Sequence, residues 1–172
     1  MLKLLGAMLI LAAATLAGYQ RAAQYADRPR QIRGLIGALQ RLETEIQYGY
    51  TPLPDALKRI ASQSREPLRR LLAEAAAQME PPQERTAEEA VGDALEKHWG
   101  GTSMKAAERE AVRQLSCSLG TSSRQDQVNH ILLAVQQLKQ EEAAAREDQV
   151  KYERMSKNLG LLLGALIVIL IL

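Results

Sequence analysis

With 172 residues the chain has room for one domain and not comfortably for two, and a net charge of +2 is too small to argue for nucleic acid. Its single Cys excludes an internal disulfide and a Cys-rich zinc site. Aromatics make up only 3% with no Phe, and a composition dominated by Ala, Leu, Gln, Glu and Arg favours helices over sheets.

The chain opens on an apolar run, Leu4 to Ala17, interrupted only by Thr15. Lys3 precedes it, and Arg21, Arg28, Arg30 and Arg33 follow it. The run suits either a signal peptide, with small residues at Ala12, Ala14 and Ala17, or a membrane helix over residues 1–20. Charge placement separates the two. Lys151, Arg154 and Lys157 precede the closing run Leu159–Leu172, so both basic flanks face the segment between the runs. The positive-inside rule then places residues 21–157 in the cytoplasm between two anchors, residues 1–20 and 158–172.

Between the anchors the pattern predicts helices separated by caps and breakers. Pro29 suits the first turn of a helix to about Tyr48, with Ile32, Leu35, Ile36, Leu39, Leu42 and Ile46 on one face. Gly49 is expected to end it in a left-handed conformation. Thr51 is expected to cap the next helix, opened by Pro52 and running from Leu53 to about Ser62. Pro67 opens Leu68 to Met79, and Pro81-Pro82 breaks it. Thr86 with Glu89 has capping-box spacing for a helix to about Trp99, a packing residue at its end. Gly100-Gly101 stops that helix, and Thr102 or Ser103 starts Met104–Leu119, closed by Gly120. Cys117 falls in this apolar pattern and is expected to be a small core residue.

Ser122 with Gln125 offers a second capping box, from which one long helix is expected to run to Leu172. Val128, Ile131, Val135 and Leu138 mark its buried face. The terminal run of about 14 residues reaches only about 21 Å as a helix, against a hydrocarbon core of about 30 Å. Gly160 and Gly164 clear one face of it, and Ala14 and Gly18 offer a matching small face in the first run. The two anchors are therefore expected to pack as a hairpin, and the chance occurrence of two glycines four apart in an apolar run stays open beside it.

Charge is unevenly distributed in the middle. Residues 21–70 hold about ten cations against five anions, whereas residues 74–96 hold about seven anions and one cation. The acidic stretch, with Glu84, Glu88, Glu89 and Asp93, is a candidate docking surface for a partner of opposite charge. The solvated-face reading stays open beside it.

No chemistry-bearing constellation emerges. There is no G-x-x-x-x-G-K phosphate loop. His98 and His130 stand apart from each other and from Cys117, so no metal site is expected. Glu43 and Glu45 diverge by about 200° on a helix and cannot act as a paired acid and base. The residues point to an interaction protein without a cofactor rather than an enzyme.

Several segments are similar to one known family. Met1–Ala7, Asp27–Arg33, Ala38–Gly49 leading into Thr51-Pro52-Leu53, Leu119-Gly120 with Arg124, and Tyr152–Gly160 resemble the stage III sporulation protein AB family of endospore-forming bacteria. The resemblance runs in order through nearly the whole chain and is weakest over Glu74–Thr102. It implies a middle region similar to the cytoplasmic domain of type II secretion and type IV pilus platform proteins. It also implies a place in the complex connecting mother cell and forespore, in the mother-cell membrane facing the forespore. The implied partners are other stage III A-operon products, above all the AA protein that resembles a secretion ATPase.

The expectation is an all-α protein: a multi-helix bundle between two membrane anchors, acting as a scaffold that binds an ATPase and has the capacity to form homo-oligomers. The alternative is an exported, tail-anchored helical protein with a cleaved signal peptide.

Overall fold

The computed structural model describes the backbone of residues 2–49 and 51–171, and the side chains of Ala13, Leu16, residues 26–49 and 51–152, and Met155. Among the described residues six α-helices follow one another: α1 (Leu2–Tyr48), α2 (Leu53–Gln63), α3 (Leu68–Gln78), α4 (Ala87–His98), α5 (Ala106–Ser116) and α6 (Arg124–Ile171). A 3-10 turn, Trp99–Gly101, links α4 to α5. No strand occurs among the described residues, so the all-helical expectation holds.

The chain divides into two compact units, one of residues 1–29 with 143–172 and one of Arg30–Glu142. The helices α1 and α6 run without a break past residues 20 and 157, respectively. Among the described residues no helix is long and apolar enough to cross a membrane. Apart from Ala13 and Leu16, the side chains of both apolar end runs, including Ala14, Gly18, Gly160 and Gly164, lie outside the described residues.

The second unit is built on a core of leucine and alanine. On α1, Ile32, Leu35, Ile36, Leu39 and Leu42 are buried as their spacing predicts, and Ile46 is half-buried. α2 pairs with α3, and α3 packs on α4. Ala75 and Ala76 on α3, with Ala90 and Ala94 on α4, are all buried. Side chains that small let helix axes approach closely, which accounts for a core that needs no Phe. On α6, Val128, Ile131, Val135 and Leu138 are buried, whereas Leu132 and Leu133 are exposed. In the first unit Arg28 is buried and reaches Asp148 at 3.5 Å.

Local chemistry explains most of the boundaries. Thr86 Oγ1 accepts the Glu89 N–H at 3.3 Å, and the Glu89 carboxylate accepts the Thr86 N–H at 3.1 Å. That closed box is worth about 1 kcal/mol to α4. Two expected caps fall elsewhere. α6 is capped by Ser123, whose Oγ accepts the Asp126 N–H at 3.2 Å; Ser122 instead donates its hydroxyl to the Ser118 carbonyl. The competing bond back into the preceding turn removes Ser122 from capping. α5 starts after Lys105, not at Thr102 or Ser103, because the Thr102 hydroxyl donates to the Trp99 carbonyl and the Ser103 N–H donates to Gln31.

Pro29 differs from expectation as well: it lies inside α1. Residues 19–28 contain no Gly or Pro and are rich in Ala, Gln and Arg, so nothing stops the helix before it reaches Pro29. An interior proline forfeits one helical hydrogen bond, at a cost of about 3 kcal/mol. Burial of its ring offsets part of that.

Candidate functional site: charged surfaces of the helical unit

Of the four turn residues singled out in the sequence, Pro29, Gly49, Thr51 and Pro52, the first three act differently from expectation. α1 does end at Tyr48, where the Gly49 N–H donates to the Glu45 carbonyl at 2.9 Å. Gly49 is not left-handed, however; among the described glycines only Gly120 has a positive φ, +76°. Glycine is required at 49 because a Cβ there would stand 2.8 Å from the Glu45 carbonyl oxygen. Thr51 caps nothing. Its hydroxyl donates to the Glu45 carboxylate at 3.1 Å, and Pro52 occupies the N-cap position of α2. Arg59 reaches the other Glu45 oxygen at 2.9 Å, so Glu45 gathers the turn.

The acidic stretch forms the start and outer face of α4. Glu84, Glu88, Glu89 and Asp93 are all exposed. They are not equivalent. Glu89 closes the capping box, Asp93 pairs with Arg85, and Glu88 lies beside Cys117. Glu84 takes a left-handed backbone, φ 47°, in the turn before α4. Reversing Glu89 or Asp93 would therefore disturb α4 itself, which leaves Glu84, Glu88 and the further exposed Glu96 as the carboxylates available to a partner.

Cys117 is exposed, not a core residue. It follows α5 at the C-cap, where the helix turns its side chain outward. Partial desolvation and the neighbouring Glu88 carboxylate push its thiol above the usual range, so the reactive thiolate is disfavoured.

Across the unit lies a basic groove of about 280 Å³ between α1 and the α2–α3 turn. Arg30, Arg33 and Arg41 line it from α1, and Arg65 lines it from the turn. Gly34 and Gly37 keep its α1 wall low. Arg33 also meets Glu142 at 2.9 Å. Individual cations were visible in the sequence; their gathering around two helical glycines was not.

A third polar cluster joins α3 to α4. Glu74 accepts from Lys97 at 2.8 Å and from Gln78 at 3.2 Å, with His98 Nε2 3.8 Å away. The Lys97 bond, then the Gln78 bond, hold the Glu74 carboxyl below its ordinary value. A depressed carboxylate stabilises the fold above its unfolded pKa, and that stability is lost as pH falls through the folded value. Acidification from pH 7 to about 3 should thus cost wild type more than Glu74→Gln, by a few tenths to about 1 kcal/mol. Urea unfolding at the two pH values measures the difference, and equal losses in both proteins would remove Glu74 from the account.

The elements meet at an apolar cavity of about 40 Å³, lined by Leu35, Leu39, Leu71, Trp99, Leu115 and Leu119 among others. It contains no polar side chain suited to orienting a substrate, apart from the Ser116 hydroxyl, which donates to the Arg113 carbonyl. Glu108 is fully buried at the start of α5, where its carboxylate accepts the Lys105 N–H at 2.9 Å. Its helical position gave no hint of this. Among the described residues no three His, Cys, Asp or Glu side chains converge to hold a metal ion.

Comparison with known proteins bears on the whole chain. The profile described as stage III sporulation protein AB matches residues 3–172. Stage III sporulation protein AB of Bacillus subtilis (strain 168) is 42% identical over 171 residues, which is 99% of each chain. A solved structure of a stage III sporulation protein AB superposes with a TM-score of 0.68 at 39% identity, covering 73% of this chain and 98% of that one.

Proposed function

Because the chain belongs to the stage III sporulation protein AB family, we propose that it is a membrane-anchored scaffold of the mother cell–forespore complex, acting through binding rather than chemistry. The observation that carries this reading is the course of α1 and α6. Each continues as a helix from the charged, well-packed unit into an apolar end run. The continuity of α1 through residues 17–30 also favours a retained anchor over a cleaved signal, since cleavage there would cut a helix.

In this reading both anchors sit in the mother-cell membrane facing the forespore, with Arg30–Glu142 in the mother-cell cytoplasm. The small faces at Ala14 and Gly18, and at Gly160 and Gly164, pack the anchors together; both belong to the same compact unit. The cytoplasmic unit receives partners on its charged faces, foremost the AA protein with its resemblance to a secretion ATPase.

Co-purification tests the reading. The full chain, extracted in detergent from membranes of sporulating cells, is expected to bring the AA protein with it and to retain its intact N-terminal mass. A Glu84→Lys/Glu88→Lys variant should recover less of that protein at unchanged helicity. Recovery of the chain from the soluble fraction, or of an N-terminally trimmed form, would overturn the anchored scaffold.

A further inference from the structure

The basic groove and the acidic face share a feature that neither shows alone. On α1, Arg33, Gly37 and Arg41 are spaced four residues apart; on α4, Glu88, Gly92 and Glu96 are spaced identically. Four-residue spacing keeps each trio on one helix stripe. The four charged residues are exposed, and a Cβ on Gly37 or Gly92 would meet nothing within 4 Å. Neither glycine is thus required by packing within the chain. Each nonetheless costs its helix about 1 kcal/mol relative to Ala.

We propose that the α1 groove receives the α4 face of a second copy of this chain, the helices crossing where Gly37 meets Gly92 so that Arg33 and Arg41 face Glu88 and Glu96. Glycine at the crossing lets two backbones approach more closely than any side chain would allow. Each charged trio spans roughly 12 Å, so the two stripes match in length as well as in sign. Arg41 and Glu96 take part in no ion pair among the described residues, which leaves them available for this contact. Arg65, on the opposite wall of the groove, adds a third cation over the incoming helix. Glu66 on the rim disfavours a polyanion of unbroken charge and is compatible with a helix whose acidic stripe ends beside Lys97.

The two surfaces differ, so the contact is heterologous: a copy that gives its α4 still has an empty groove. Contacts of that kind do not close in a dimer and propagate into rings or chains. The inference gives the acidic face a second partner, another copy of the chain beside the one proposed above, and it rests on reading that face as a docking surface.

The experiment uses the full chain in detergent micelles, with its mass followed by light scattering after size exclusion and its folding by the fluorescence of Trp99, the only Trp. Wild type is expected to exceed the mass of a dimer at about 50 mM salt and to dissociate toward a monomer at about 500 mM. Arg41→Glu and Glu96→Lys should each weaken association about tenfold, and an equimolar mixture of the two should restore the heterologous pair. Gly37→Leu should abolish association while leaving the Trp99 unfolding midpoint unchanged or raised. A wild type that stays monomeric at low salt, or a mixture that associates no better than either variant alone, would overturn the proposal. Loss of binding to anionic vesicles in Arg41→Glu, with Glu96→Lys silent in every assay, would assign the groove to lipid and also overturn it. If Glu96→Lys loses the AA protein but keeps the wild-type mass, the acidic docking surface stands and the contact between copies falls.

Discussion

Ile131→Ala is expected to lower the unfolding free energy by about 2–5 kcal/mol, the range for emptying a fully buried aliphatic site. Ile131 has no exposed surface, and Val128, Val135 and Leu138 continue the same buried stripe of α6. Part of the loss is the transfer free energy of the missing carbons, and the rest is a cavity that the surrounding helices cannot fill by collapse. The unit already contains a void of about 40 Å³ among its leucines, so its core is not packed to the limit before the change. Leu133→Ala is the control. It lies two residues along the same helix, is 63% exposed, and should change stability by no more than about 0.5 kcal/mol. Urea unfolding read through Trp99, which lines that void, reports on the helical unit without interference from the end runs. Similar shifts for the two variants would mean that α6 does not present the face assigned to it.

Gly49 should tolerate neither Ala nor Asn, whereas Gly120 should accept Asn better than Ala. The two glycines end their segments for different reasons. At Gly120, φ of +76° penalises any ordinary side chain by about 1–2 kcal/mol, and Asn relieves part of this with its local hydrogen bonds. At Gly49 the backbone is not left-handed, and the obstacle is space: a Cβ would press on the Glu45 carbonyl oxygen at 2.8 Å and crowd Thr51 Oγ1 at 3.3 Å. That carbonyl accepts the Gly49 N–H itself, so it cannot swing away without opening the end of α1. Overpacking of this kind costs about 1–3 kcal/mol whichever residue is introduced, and Gly49→Leu should stand at the upper end. Unfolding midpoints of the five variants decide it. Gly49→Asn matching wild type would restore the left-handed account.

Those two glycines also mark where the sequence was informative. Helix positions followed from breakers and caps that act within four or five residues, which is why Thr86 with Glu89 and the ends at Tyr48 and Gly101 were legible. Periodicity likewise placed Ile32 to Leu42 and Val128 to Leu138 in the core, because burial follows the helical repeat. Wherever a side chain had a choice of partners, local spacing fell short. Thr51 turned back to Glu45, Ser122 turned back to Ser118, and the cap of α6 passed to Ser123. Burial of Glu108 and exposure of Cys117 depend on how α5 is rotated in the unit, which its own eleven residues do not encode. The charged surfaces lay between these cases. The acidic run was continuous along the chain and could be read, whereas the groove joins α1 to a turn more than twenty residues away.

The order in which the core is assembled has a bearing on synthesis. Leu35 and Leu39 share their cavity with Leu115 and Leu119, roughly 80 residues further along the chain. At ribosomal speeds of about 5–20 residues per second, the greasy stripe of α1 waits roughly 4–16 s for those partners to be made. Leu57, Leu68, Leu71 and Leu72 arrive sooner, but until Leu115 and Leu119 are made the row of branched aliphatic residues is only partly covered, the sort of surface that chaperones hold and neighbouring nascent chains stick to. An N-terminal run engaged early by the bilayer would tether this stripe and keep such chains apart, so a protein deprived of its first 20 residues should yield less soluble product even though its finished core is intact.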